Sequence, residues 1–241
     1  MGGPGGMVKT RSRPAAPFIA VRNVTKRDAL GSPFLQVEHL DIGEGETIVI
    51  TGMDEVRAEI LLHTMTGRLL PDEGEVVLFG NPTSAIDAVE DWLPHLERMA
   101  LLDPRQPLLE EWPVEISVLY PYAMDLSQPM DEPRQEEIRQ RAMRFGISEA
   151  DLELPMAEAD ARVRLCVHFL KSTARNPDIL FIMAYEDQIH PSHHHSLVRL
   201  LKLWNDRKTV VIFTDHTVAF KKICSRMLVY ERRQGKFMEK K

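Results

Sequence analysis

Apolar and polar positions change their period along the chain, and those changes divide it into elements. FIAVRNV (18–24) and PFLQVEHLDI (33–42) read as two strands, with Gly31 and Pro33 marking a hairpin-like turn between them. TIVI (47–50) is apolar on both faces, which predicts a short central strand. Val56, Ile60, Leu61 and Met65 then recur at helical spacing, and PDEGEVVLFGNP (71–82) reads as turn, strand, turn. Residues 83–155 are different. Pro94, Pro104, Pro107, Pro113, Pro121, Pro129 and Pro133 lie among helical pieces, so the segment reads as a helical insertion rather than more sheet. Within it, 133–146 is an amphipathic helix with Pro133 in its first turn and Gly146 at its C-terminal cap.

Alternation returns in the last third. Helices are expected over about 158–175, 193–206 and 217–227. The second of these has an apolar face of Leu197, Leu200, Leu201 and Trp204. Buried strands are expected at 178–184 and 208–214, and a strand pair around Gly235 closes the chain. Strands alternating with helices predict a parallel sheet with right-handed crossovers. No internal repeat is visible. The Gly/Pro-rich, basic start (1–17) is expected to be a flexible tail and lacks the apolar core of a signal peptide. Residues 238–241 are expected to be a second, short tail.

Composition narrows the function classes. The length of 241 residues suits one sizeable domain or two small ones. Hydrophobic residues at 44% and charged residues at 27% are globular proportions. A net charge of -6 argues against a general nucleic-acid binder, so no nucleic-acid partner is expected. The longest apolar runs are strand-sized and fall short of the ~20 residues of a membrane span. Any membrane role would therefore go through a partner. Cys166 and Cys224 make no disulfide framework, which fits a reducing compartment.

Several framework stretches share one order: RNVTKR (22–27), DIGEGETIVITG (41–52), TGRLLPDEGEVVLFG (66–80), ARNPDILFI (174–182) and TVVIFTDH (209–216). In that order and spacing the chain resembles the ATP-binding domain of ABC transporters, from about Phe18 to Phe237. The resemblance implies an α/β, P-loop NTPase-like nucleotide-binding domain over 18–237. It implies a mixed sheet, an antiparallel N-terminal β part and an inserted helical subdomain at about 104–172.

At the family's functional positions this chain departs. Gly52 keeps the first glycine of the Walker A loop. Glu55 and Arg57 match later glycines, Ala58 the lysine, and Glu59 and Ile60 the hydroxyl residues. The adenine-stacking aromatic matches Asp28, the Q-loop glutamine falls near Asp103, and the signature matches Ala159–Val163. The Walker B aspartate and catalytic glutamate fall at Met183 and Ala184, and the switch histidine at Asp215, one place before His216. Asp54, Glu55 and Glu59 put carboxylates where a triphosphate would sit, and Asp54 or Glu55 could cap the helix that follows.

The resulting expectation is a pseudo-ATPase with no catalytic residues, no metal and no cofactor, and with Gly52 and Arg57 as remnants of a nucleotide loop. As a binding or scaffold subunit it would sit at the cytoplasmic side, peripheral to the inner face of the cell membrane. Its partners would be a transporter's membrane subunit, another ABC ATPase subunit, or both, in a homo- or heterodimer. The alternative is an active subunit binding Mg-ATP, with Arg57 for the lysine, Glu186 or Asp187 for the acids and His216 for the switch histidine. A metal site built on the histidines is a third reading.

The resemblance also places a groove for a membrane subunit's coupling helix near 101–124. Leu108, Leu109, Trp112, Val114 and Tyr120 are its candidate lining, with Trp112 as the exposed anchor. His190, His193, His194 and His195 read as an exposed helix start with Ser192 as N-cap. Cys166 and His168, two apart on a helix, read as core packing. Glu136–Arg139 and Glu137–Arg141 read as solvated helix pairs, and the basic terminus as a solvated tail.

Overall fold

A computed structural model describes residues 16–86, 88–124, 129–204 and 207–240. Residues 1–15 of the expected N-terminal tail, and Lys241, lie outside them. Strands β1 (Ile19–Arg27) and β2 (Pro33–Ile42) pair antiparallel, Ile19 against Ile42. Asp28 ties their turn together, its carboxylate accepting from the Leu30 and Ser32 amides at 2.9 Å. The short strand β3 (Thr47–Thr51) leads into α1 (Glu55–Met65). β4 (Glu73–Leu78) returns to lie antiparallel on β1, and β5 (Asn81–Pro82) edges it. Next come α2 (Val89–Glu97) and β6 (Met99–Leu102).

The helical part follows: α3 (Val114–Ala123), α4 (Glu132–Phe145), α5 (Glu149–Glu153) and α6 (Ala161–Thr173). α4 starts on an Asp131 cap and stops at Gly146, whose φ of 103° is the left-handed conformation a helix stop favours. β7 (Ile179–Met183), α7 (His194–Trp204), β8 (Thr209–Phe213), β9 (Arg226–Glu231) and β10 (Lys236–Glu239) complete the chain.

Two sheets result, ordered β2-β1-β4-β5 and β10-β9-β3-β8-β7-β6. The second is parallel except for β10. Alternate residues of its central strands serve different cores, because successive strand side chains point to opposite faces. Ile179, Phe181 and Met183 pack with the antiparallel sheet and α1. Leu180 and Ile182 pack with the helical part and α7.

Four expectations change. Residues 217–227 are not a helix: a 3-10 turn covers Val218–Phe220, and by Arg226 the chain is in β9. Pairing of Arg226–Val229 with Ile48–Thr51 claims that backbone, and Val218 is left exposed. Residues 83–155 are not wholly helical, because β6 pairs with β7 as the edge of the parallel sheet. The terminus is no tail up to Lys240. Met238 and Glu239 lie in β10, the Lys240 amide donates to Met227 O, and Glu239 faces Arg226 at 3.5 Å. Ser192 does not cap α7. It lies in a 3-10 turn, Pro191–His193, where its own amide donates to His190 Nδ1.

Candidate functional site

Between β3 and α1 stand only Gly52, Met53 and Asp54. Gly52 has φ +79°, and a Cβ there would lie 3.0 Å from Tyr230 O, so the close approach of β9 requires glycine. Met53 is buried, and its carbonyl accepts the Tyr185 hydroxyl at 3.0 Å. Burial lifts that phenol above its usual range and keeps it protonated as a donor. Asp54 caps α1, taking the Arg57 amide at 2.9 Å, so one of the helix's free N–H groups is satisfied from within. The segment matched to the later glycines of a nucleotide loop is here the first turn of α1. Ala58, at the lysine position, is fully buried.

Arg57 turns inward and is only 7% exposed. Its Nε donates to Phe34 O at 3.2 Å, its guanidinium stacks 4.4 Å over the Phe34 ring, and a terminal nitrogen pairs with Asp54. Val56, expected on the apolar face of α1, is exposed instead. Ala58, Leu61, Leu62 and Met65 make that face.

Glu55 and Glu59, one turn apart on α1, do not stand as bare charges. Arg105 reaches across from the loop after β6 and holds Glu55 at 2.7 Å, Glu59 at 2.6 Å and Asp103 at 2.9 Å. Hydrogen bonds to Asp103 and Glu59 push the guanidinium further above its ordinary range. Partial burial would raise Asp103, but its bonds from Arg105 outweigh that and hold it below the usual carboxylate range. Glu55 is raised, by burial first and then by the nearby charge of Asp187, against a hydrogen bond from Gln188. Sequence reasoning missed Arg105. The available signal was the run of three carboxylates at 54–59, which needs a counter-charge from somewhere.

The remaining matched positions are scattered. Met183 and Ala184 are fully buried at the end of β7. Glu186 and Asp187 are exposed beyond them, and Glu186 meets His216 Nε2 at 3.7 Å. Asp28 is engaged in the hairpin turn. In the signature segment, Asp160 caps α6 at 2.7 Å through the Val163 amide, and Arg162 binds Gly146 O and Asp151.

His194 is buried rather than exposed, with Nε2 3.0 Å from Ile189 O, and burial depresses its pKa. Among the described residues no three His, Cys, Asp or Glu side chains converge on a metal-sized point. Cys166 and His168 are both buried. Burial pushes the thiol up to about 11 and the imidazole down to about 4. Glu136 does approach Arg139 at 3.6 Å, but Glu137 pairs with Arg134, and Arg141 bonds to Thr173 instead.

The expected partner surface divides. Leu108 is 5% exposed and Val114 fully buried, and both pack into the core of the helical part, so neither is available to a partner. Leu109, Trp112 and Tyr120 are exposed, with the Trp112 and Tyr120 rings edge-to-face at 5.8 Å. Two further residues complete a pattern that sequence reasoning missed. Trp112 just before α3, Ile116 and Tyr120 within it and Met124 at its C-cap follow at intervals of four and are 39–56% exposed, which makes one apolar stripe over α3 and its two ends.

Solved structures with this architecture include ABC transporter cassettes. The chain superposes on cbiO1 of Clostridium perfringens, part of the ABC transporter complex cbiONQ, with TM-score 0.72 and 19% identity. That match covers 92% of this chain and 87% of cbiO1. It superposes on the ATP-binding cassette MJ0796 in a dimeric post-hydrolysis state bound to ADP and Pi, with TM-score 0.73 and 21% identity. It also superposes on a dimeric structure of the same bacterial ABC transporter cassette, with TM-score 0.72 and 22% identity. Both matches cover 92% of this chain and 98% of the other. No family model and no curated protein sequence matches the chain. Its fold is that of the ABC ATP-binding cassette.

Proposed function

We propose that this chain is a pseudo-ATPase: an ABC-type cassette that works as a non-hydrolysing binding or scaffold subunit of a membrane transport complex. The observation that carries this reading is the self-sufficiency of the loop before α1. Three residues join strand to helix, Asp54 caps the helix, and Arg57 and Arg105 are engaged by Phe34, Asp54, Glu55, Glu59 and Asp103. These residues do not fit a Mg-triphosphate. A phosphate brought to this helix start would meet the Asp54 and Glu55 carboxylates before any free cation. Each such contact costs on the order of 1 kcal/mol or more at surface dielectric. Nor can the buried end of β7 take back an acid at Met183 or Ala184. A carboxylate there would be desolvated without a partner, at several kcal/mol.

Partner binding is supported by the stripe on α3. The ten residues of α3 rise ~15 Å, the length of nearly three turns of a partner helix laid alongside. We place that partner in a transporter's membrane subunit, with a second ABC ATPase subunit as the other candidate. Among the described residues no helix is long and apolar enough to cross a membrane. A place at the cytoplasmic face would therefore depend on the partner.

One observation favours the alternative, an active cassette with displaced residues: His216 and Glu186 do approach each other. Arg57, the lysine substitute that reading requires, lies buried against Phe34. Calorimetric titration of the purified chain with Mg-ATP separates the two. The pseudo-ATPase gives no heat of binding at millimolar nucleotide. Micromolar binding, lost in a folded Arg57→Ala variant, would overturn it.

A further inference from the structure

The apolar stripe over α3 has opposite free charges at its two ends. At the start, Glu110 and Glu111 precede Trp112. Glu110 is held by Arg164, in the first half of α6, at 2.6 and 2.8 Å. Glu111 is exposed and has neither hydrogen bond nor ion pair among the described residues. At the other end, Pro121 and Met124 share a cavity of about 310 Å³ with Lys171 and Arg175, where α6 finishes. Neither cation has a hydrogen bond or ion pair among the described residues, and Glu97 on the same wall pairs with neither. Lys171 is half-buried, and burial pulls its ammonium below the ordinary range. The two cations are not spent on closing α6. Thr173 O already accepts the Asn176 amide at 3.0 Å and Arg141 at 3.3 Å.

The stripe itself reads the same way in both directions. Ile116 and Tyr120 stand two residues either side of Val118. A second α3 laid antiparallel therefore sets each Tyr120 ring against an Ile116 side chain. The Trp112 ring, edge-to-face with Tyr120, widens the patch. Rows spaced by four on two helices interdigitate in the commonest class of helix packing.

We propose that the free chain forms a two-fold homodimer, with α3 of one copy antiparallel on α3 of the other. Glu111 of each copy faces Lys171 and Arg175 of its mate, so every charge contact is made twice. Antiparallel helices also bring opposite ends of their dipoles together. A parallel pair would set Glu111 against Glu111 and the cations against each other. The proposal rests on the same apolar surface as the proposed function. It adds that a second copy covers this surface in the free chain, so a transporter helix must displace it.

Sedimentation velocity of the full chain over a concentration series tests this. A reversible monomer–dimer equilibrium is expected, with a dissociation constant of about 10 µM or weaker, at the low end of specific interfaces. Glu111→Lys, and Lys171→Glu with Arg175→Glu, change side chains that have no partner to lose, so both variants keep the parent's unfolding midpoint. Each sets like charges together across the axis and should weaken dimerisation about fivefold or more. The three changes combined in one chain restore opposite charges and should recover most of that loss. Should the cation pair of substitutions disturb folding, Glu111→Lys alone still decides. A monomer at every concentration, growth beyond a dimer, or unchanged dimerisation in Glu111→Lys would each overturn the proposal. So would a folded combined variant no better than the separate ones. A monomer would leave the stripe to a foreign helix and the proposed function standing, whereas micromolar Mg-ATP binding would strike the proposed function alone.

Discussion

Two corners of the molecule are rich in charge and handle it in opposite ways. At the start of α1, two arginines answer four carboxylates, an amide caps onto Asp54, and the Tyr185 hydroxyl closes on Met53 O. At residues 186–190, two exposed carboxylates and the half-buried Gln188 line a cavity beside Arg164, which Glu110 already holds. The first corner answers its charges from within the chain. The second leaves Glu186 and Asp187 exposed to solvent. Charges already answered from within leave a ligand little to gain, because each polar group it would meet has a partner to give up.

The sharpest way to break this contrast is to empty the first corner. Arg57→Ala removes a buried guanidinium, its bond to Phe34 O and its stacking on the Phe34 ring. Asp54 is half exposed and recovers water, so the loss comes mainly from packing and the stranded carbonyl. Urea unfolding should show a loss of about 2–4 kcal/mol, and Arg57→Met, which keeps the stem, should recover part of it. An unchanged midpoint would mean that the arginine is not structural and remains free for a ligand.

The second corner should show itself in acid. His168 takes its proton near pH 6.5 when unfolded and near 4 when folded. Between those values the unfolded chain holds more protons, so stability falls as pH drops from about 6.5 to 4. His194, also depressed by burial, adds to the same loss. Glu55 works the other way, because its raised pKa means that protonation relieves the folded state. Asp103 matters only lower, since its folded pKa lies below the ordinary 3.8. The net loss across the window should be on the order of 1–3 kcal/mol. Unfolding of His168→Leu, measured at several pH values, should give a flatter profile. An unaltered slope would put the titration elsewhere.

Much of the fold was legible because local pattern and tertiary demand agree. TIVI is apolar on both faces because β3 lies between β8 and β9. Gly146 stops α4 by backbone geometry that the sequence names directly. Residues 217–227 misled because Phe220, Ile223, Cys224 and Met227 have helical spacing, yet the neighbouring β3 offers the backbone from Arg226 on a ladder, a long-range term invisible in a window. At the site, Gly52 and the Asp54 cap follow from residue type at short range. Arg105 lies 46 residues from Glu59 and Tyr185 132 residues from Met53, so chain contacts of that separation carried no local signal. Leu108 looked like a neighbour of Trp112 in a groove. Both are apolar and four apart, and only packing separates the core member from the exposed one.

The same ambiguity sets the smallest effect and the most selective test. α3 carries apolar residues on both sides: Val114 and Val118 in the core, Ile116 and Tyr120 outside. Sequence alone cannot say which side matters to folding. Val118→Glu would bury an unpaired carboxylate and should prevent folding. Ile116→Glu touches a residue already 40% exposed, so unfolding free energy should change by no more than ~0.5 kcal/mol. Its effect belongs to association. An unpartnered apolar stripe should make the isolated chain self-associate weakly at high concentration, and a charge at its middle should suppress that. Sedimentation of parent and variant across a concentration series measures it. Equal self-association would move the sticky surface elsewhere. A large loss of stability would mean that Ile116 serves the core, which would leave the stripe too short to hold a partner helix.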